Sequence, residues 1–193
     1  LQTIKLVFEW LEKSVKTADP EAREKMHNAS TMAGMAFANA FLGMSHSMAH
    51  KIGGVHHTVH GRTNAILLPY VIRYNGTRPS KTTTWPKYNY WKADEKFQDI
   101  AKMLGLPHST PEEAVEAYAK AVYELGVAVG IKMNFKDQGI DEKAWKDSLH
   151  EIALLAYEDQ CSPANPRLPM VADMEEIMAD AYYGYAERPG RRK

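Results

Sequence analysis

The 193-residue chain has a single cysteine, Cys161, which excludes an internal disulfide and fits a reducing, cytoplasmic setting. Charge of one sign is also missing. Lys+Arg and Asp+Glu stand at 24 each, so there is no basic field of the kind that sequence-blind nucleic-acid binding needs. No long hydrophobic run occurs: the longest nearly apolar stretch, Met32 to Met44, is broken by Asn39 and falls short of the roughly 20 residues that cross a bilayer. No alternating strand pairs, internal repeats or low-complexity segments are found, and no charged-then-apolar signal segment opens the chain. The 45% apolar content is that of an ordinary packed domain. The chain opens at Leu1, already inside an amphipathic pattern, which leads us to expect a piece of a larger polypeptide.

Helical periodicity fills most of the length. Ile4, Val7, Phe8, Leu11 and Val15 mark one buried helix face. Asp19-Pro20-Glu21 reads as N-cap, N1 proline and acidic first turn of a second helix, because a carboxylate satisfies free amide donors and proline has none to lose there. That helix runs on through Phe41. Its small residues Gly34, Ala36, Ala38, Ala40 and Gly43 predict close packing by neighbours and a place at the centre of the domain. Further helices are expected over Asn64–Arg73, Ala93–Leu104, Pro111–Val129 behind the caps Ser109 and Thr110, Asp141–Tyr157 and Val171–Tyr183. The last stops at Gly184. The expected architecture is an all-α bundle of about seven helices over residues 1–186, with a loose tail at 187–193. The connection 75–92 is unusually long and carries four aromatics.

Five of eight histidines, His46, His50, His56, His57 and His60, fall within fifteen positions. His46 and His50 are four apart in a helix-compatible stretch, so both imidazoles project from one face a turn apart. Gly53-Gly54 is expected to break the helix, and His60-Gly61 to open the next, letting a third imidazole fold back on the first two. Neutral imidazole suits zinc, iron, copper or nickel. Spacing alone also admits plain surface or capping histidines, since an i, i+4 pair is a common accident. His56 and His57 read as loop residues, and His27, His108 and His150 as ordinary ones. Asp147 and His150 sit on a solvated charged face.

The stretch Gly43-Met-Ser-His-Ser-Met-Ala-His-Lys-Ile-Gly-Gly-Val-His-His-Thr-Val-His-Gly-Arg-Thr63 resembles a signature of the iron-containing alcohol dehydrogenase family. The segments 38–43, 64–75, 84–97, Asp159-Gln-Cys161 and Ala164-Asn-Pro-Arg167 are similar, more narrowly, to the alcohol dehydrogenase part of bacterial bifunctional aldehyde-alcohol dehydrogenases. The resemblance covers essentially the whole chain. It implies the C-terminal, metal-binding helical domain of the dehydroquinate synthase-like fold. His46 and His60 then match metal ligands, for Fe2+ or alternatively Zn2+. His50 matches a histidine near the nicotinamide that takes part in proton relay.

The same resemblance places two more ligands, an Asp and a His four apart, upstream of the region that opens this chain. No histidine here has an Asp four positions before it, and no Gly-rich dinucleotide turn occurs, so the NAD site is expected in a nucleotide-binding domain outside this chain. Val59 stands where the family often has Pro. The implied activity is NAD-linked interconversion of small aldehydes and primary alcohols by a homo-oligomeric enzyme, the isolated chain being inactive. The competing reading is a helical interaction or assembly module with structural metal or none.

Overall fold

The computed structural model describes residues 1–79 and 91–184. Eight α-helices occur among the described residues: α1 Gln2–Thr17, α2 Pro20–Ala40, α3 Met44–His56, α4 His60–Gly76, α5 Ala93–Met103, α6 Pro111–Ala128, α7 Glu142–Tyr157 and α8 Val171–Tyr183. A short 3-10 turn, Ser162–Ala164, joins the last two, and there is no strand among the described residues. The expected all-α architecture is what the chain adopts.

Local chemistry sets several boundaries. Asp19 Oδ1 accepts from the Ala22 amide at 2.9 Å, and Thr110 Oγ1 from the Glu113 amide at 3.2 Å, each just before a proline at N1. Asp141 caps α7 in the same way, through the Ala144 amide at 2.9 Å. Gly184 ends α8 with φ 89°, where a side chain would be strained.

The main core lies where α3, α4, α7 and α8 meet, around Met44, Met48, Ile52, Leu67, Trp145 and Met178. A smaller cluster of Ile72, Ile100, Val115 and Tyr118 binds α4 to α5 and α6, and Ile4 and Phe8 of α1 pack against it. α4 touches both clusters and is the structural spine. Its Gly76 is required by close approach: a Cβ there would fall 2.5 Å from Val115 Cγ2.

Two expectations fail. α2 is not the centre of the domain. Only Ala22 and Ala29 are buried, while Met35, Phe37 and Phe41 are half to two-thirds exposed. Its main neighbour is α1, so its small residues do not mark close packing at the centre of the domain. Small apolar residues make a face that a neighbour can approach, but they do not supply the neighbour. Nor does Gly53-Gly54 break α3, which continues to His56 and ends at His57 in the left-handed region (φ 53°). Ile52 is wholly buried and His56 stacks on Trp145, so tertiary packing on both sides of the glycines outweighs their propensity cost of about 1 kcal/mol each. α4 opens at His60, as expected, four residues before the 64–73 periodicity begins. The expectations for 80–90 and 187–193 lie outside the described residues.

Candidate metal centre

α3 and α4 bring His46, His50 and His60 together. The ring centroids are 6.1 Å apart for His46 and His50, 5.4 Å for His46 and His60, and 5.3 Å for His50 and His60. One helical turn separates the first two, and the third is the first residue of α4, reached through the three-residue turn at 57–59. The start of α3 is held from afar. Asn165 Oδ1 accepts from the Met44 amide at 3.2 Å and from Asn75 Nδ2 at 3.3 Å, while Asn165 Nδ2 donates to Asn75 Oδ1 at 2.7 Å. This buried amide pair ties the N-terminus of α3 to the C-terminal end of α4.

Around the imidazoles, the polar partners are few and specific. Asn64 Nδ2 lies 3.3 Å from His60 Nε2, and its carbonyl accepts from Ser45 Oγ at 2.9 Å, so Asn64 presents a donor and leaves that imidazole nitrogen as an acceptor. His50 Nδ1 lies 3.3 Å from Asp159 Oδ2, to which Lys51 Nζ is also bound at 2.9 Å. Burial, then the proximity of His60 and His50, hold the His46 pKa below its usual value. A neutral, unprotonated imidazole is the ligand form, and imidazole nitrogen is a donor type suited to a divalent transition metal. In donor type, the imidazoles of His46 and His60 fit such an ion.

The other histidines go elsewhere. His56 Nε2 pairs with Ser148 Oγ at 3.0 Å and its ring stacks on Trp145, so it closes α3 and is not a loop residue. His57 and His56 line a separate cavity of about 290 Å³ beside Thr58, Phe135 and Gln138. His108 bonds the Leu106 carbonyl, His150 bonds Glu175, and Asp147 is taken by Lys143.

Sequence reasoning did not assign roles to Asp159, Asn64 or Ser45. Asp159 approaches His50 across 109 positions, so no local spacing reveals it. Asn64, one turn after His60, was open to detection by the same i, i+4 argument that paired His46 with His50. One further donor group was not anticipated: ligand atoms of His50, Asp159 and Cys161 lie within 4.8 Å of one another. Lys51 already neutralises that carboxylate and burial raises the Cys161 pKa, which weighs against a cation there.

Residues 1–182 match the family described as the C-terminal part of the Fe-containing alcohol dehydrogenases. The chain belongs to the iron-containing alcohol dehydrogenase family. It is 79% identical over all 193 residues to an aldehyde-alcohol dehydrogenase of Streptococcus pneumoniae, covering 22% of that protein. It is 39% identical over 189 residues to the bifunctional aldehyde-alcohol dehydrogenase of Escherichia coli K12, covering 95% of this chain and 21% of that protein. Among solved structures, it resembles the iron-containing alcohol dehydrogenase of Thermococcus thioreducens with TM-score 0.76 and 34% identity, over 95% of this chain and 43% of that one. The chain therefore spans about a fifth (22%) of the length of the first curated relative it matches. No helix among the described residues is long and apolar enough to cross a membrane.

Proposed function

We propose that this chain is the metal- and substrate-binding helical part of an NAD-linked alcohol dehydrogenase that interconverts small aldehydes and primary alcohols of the acetaldehyde/ethanol type in the cytoplasm. The observation that carries the reading is the convergence of His46, His50 and His60 at 5.3–6.1 Å on two helices of a chain from this family. His46 and His60 are the residues to hold Fe2+ or Zn2+, the remaining ligands coming from outside the chain. The ion would supply Lewis-acid polarisation of the substrate oxygen. NAD, bound by a separate domain, would carry the redox change.

The chain's own residues contribute positioning and proton transfer. Asn64, oriented by Ser45, holds His60 Nε2 unprotonated, and would yield that nitrogen to a bound ion. His50, with its side chain 35% exposed, spans from the histidine cluster to solvent and is placed to accept the hydroxyl proton during alcohol oxidation. The uncovered α2 face, with Met35 65% and Phe37 49% exposed, supports the second reading of an assembly module, and also a homo-oligomeric or multidomain whole.

Calorimetric titration of the 193-residue chain with Zn2+ or anaerobic Fe2+ tests the assignment. Weak, reversible binding that is lost in His46→Ala and in His60→Ala is expected, with no NAD-dependent turnover of ethanol or acetaldehyde by the chain alone. Submicromolar affinity that survives His46→Ala would show the ligand assignment to be wrong. In the intact protein, His50→Ala should keep the metal and lower kcat, with the loss shrinking as pH rises because hydroxide replaces the missing acceptor.

A further inference from the structure

We propose that Asp159 is a positioning residue for His50, holding its imidazole as the Nδ1–H tautomer so that the lone pair at Nε2 stays free on the opposite edge of the ring. The inference rests on the reading that His50 moves a proton, but its geometry stands apart from that reading.

The Asp159 carboxylate is gripped from three sides. Oδ1 accepts from the Cys161 amide at 3.0 Å, which locks the turn that follows α7. Oδ2 receives Lys51 Nζ at 2.9 Å and faces His50 Nδ1 at 3.3 Å. With its side chain only 8% exposed, the group has little freedom to turn away. A carboxylate is an acceptor only, so the neutral ring can hydrogen-bond to it only with the proton on Nδ1. A free imidazole has no such constraint and a misplaced proton would close the acceptor that a relay needs.

Asp159 does not itself take the proton. Burial works against its ionisation, but the Cys161 amide, Lys51 and His50 together outweigh that and hold the carboxyl far below the usual range. It stays ionised, and its part is to orient the ring and to stabilise the imidazolium once His50 has been protonated, as a buried carboxylate does for the base of a hydrolase triad. Lys51 balances the charge when His50 is neutral. The arrangement thus links α3 to the turn after α7.

Asp159→Asn is the informative change, because it keeps size and keeps the Cys161 amide satisfied by Oδ1. The amide nitrogen then takes the place of Oδ2, gives up the Lys51 contact and turns a donor toward Nδ1, which favours the ring proton on Nε2. The 193-residue chain labelled with 15N-histidine, without metal and at a pH where the ring is neutral, reads this directly by long-range 1H–15N correlation, with His50→Gln assigning the signals. We expect Nδ1–H for His50 in the wild type and in Asp159→Glu, and Nε2–H in Asp159→Asn, with circular dichroism unchanged.

A wild-type His50 carrying its proton on Nε2 overturns the proposal without any variant, and so does an Asp159→Asn chain that keeps Nδ1–H. Metal titration of the same samples separates the two inferences. If the tautomer follows Asp159 while His46→Ala leaves metal affinity intact, the metal reading fails and the positioning role stands. If His46→Ala strips the metal while the tautomer ignores Asp159, the positioning role fails alone.

Discussion

The two ends of α3 hold histidines in opposite situations. At its C-terminal end His56 has structural partners, a hydrogen bond to Ser148 at 3.0 Å and a stacking contact with Trp145 at 5.3 Å. At its N-terminal half the rings of His46 and His50 have each other and His60 for neighbours, with Asp159 on His50 and Asn64 on His60 as the polar partners. Rings that would repel when protonated are packed together there, and His46 is held toward its neutral form by burial and by that repulsion. The kind of partner therefore separates the two ends: a hydroxyl and an indole hold His56, while other imidazoles, a carboxylate and an amide surround the cluster.

The comparison breaks first at the structural end. Trp145 is fully buried between His56, Phe135 and Tyr182, so Trp145→Ala should cost about 3–5 kcal/mol by cavity formation, read by denaturant unfolding. Asn165→Ala should follow at about 1–3 kcal/mol, because it leaves the Met44 amide and both polar atoms of Asn75 without partners in a buried place. By contrast His46→Ala should leave stability within about 0.5 kcal/mol, the range of substitutions that remove no structural partner, while removing metal binding. A large loss of stability in His46→Ala would erase the distinction between the two ends.

The smallest effect is on pH dependence. Burial, then the neighbouring His57, holds the His56 pKa below the ordinary imidazole value. As pH falls through the unfolded-state value the unfolded chain takes up a proton first, so stability is fully present above that value, declines below it and levels off once the folded pKa is passed. His56→Asn should flatten this part of the curve, measured as the urea midpoint against pH. Carboxylates held low, Asp19 and Asp159 among them, lose their contribution only at more acidic pH and leave a separate step.

Much of the helical order was legible without coordinates. The Val171–Tyr183 periodicity and the caps at Asp19 and Thr110 coincide with the elements observed, because each rests on contacts within a few residues. The histidine trio was legible through the helical turn between His46 and His50 and the family likeness, whereas Asp159 was not given a role because its approach depends on how α7 is laid against α3. The glycine pair at 53–54 misled for the same reason: an intrinsic preference of about 1 kcal/mol per residue yields to a buried Ile52 and a stacked His56.

From sequence alone came the all-α class, the placement of most helices and the pairing of two imidazoles on one face, since hydrophobic period and capping act over one or two turns. Tertiary structure decided which apolar faces were covered. It left Met35 and Phe37 of α2 exposed while burying Met44 and Met48 of α3, residues of the same chemical kind. Burial depends on which other element arrives at a face, and that arrival, like the carboxylate that reaches His50 from 109 positions away, is a property of the packed chain as a whole.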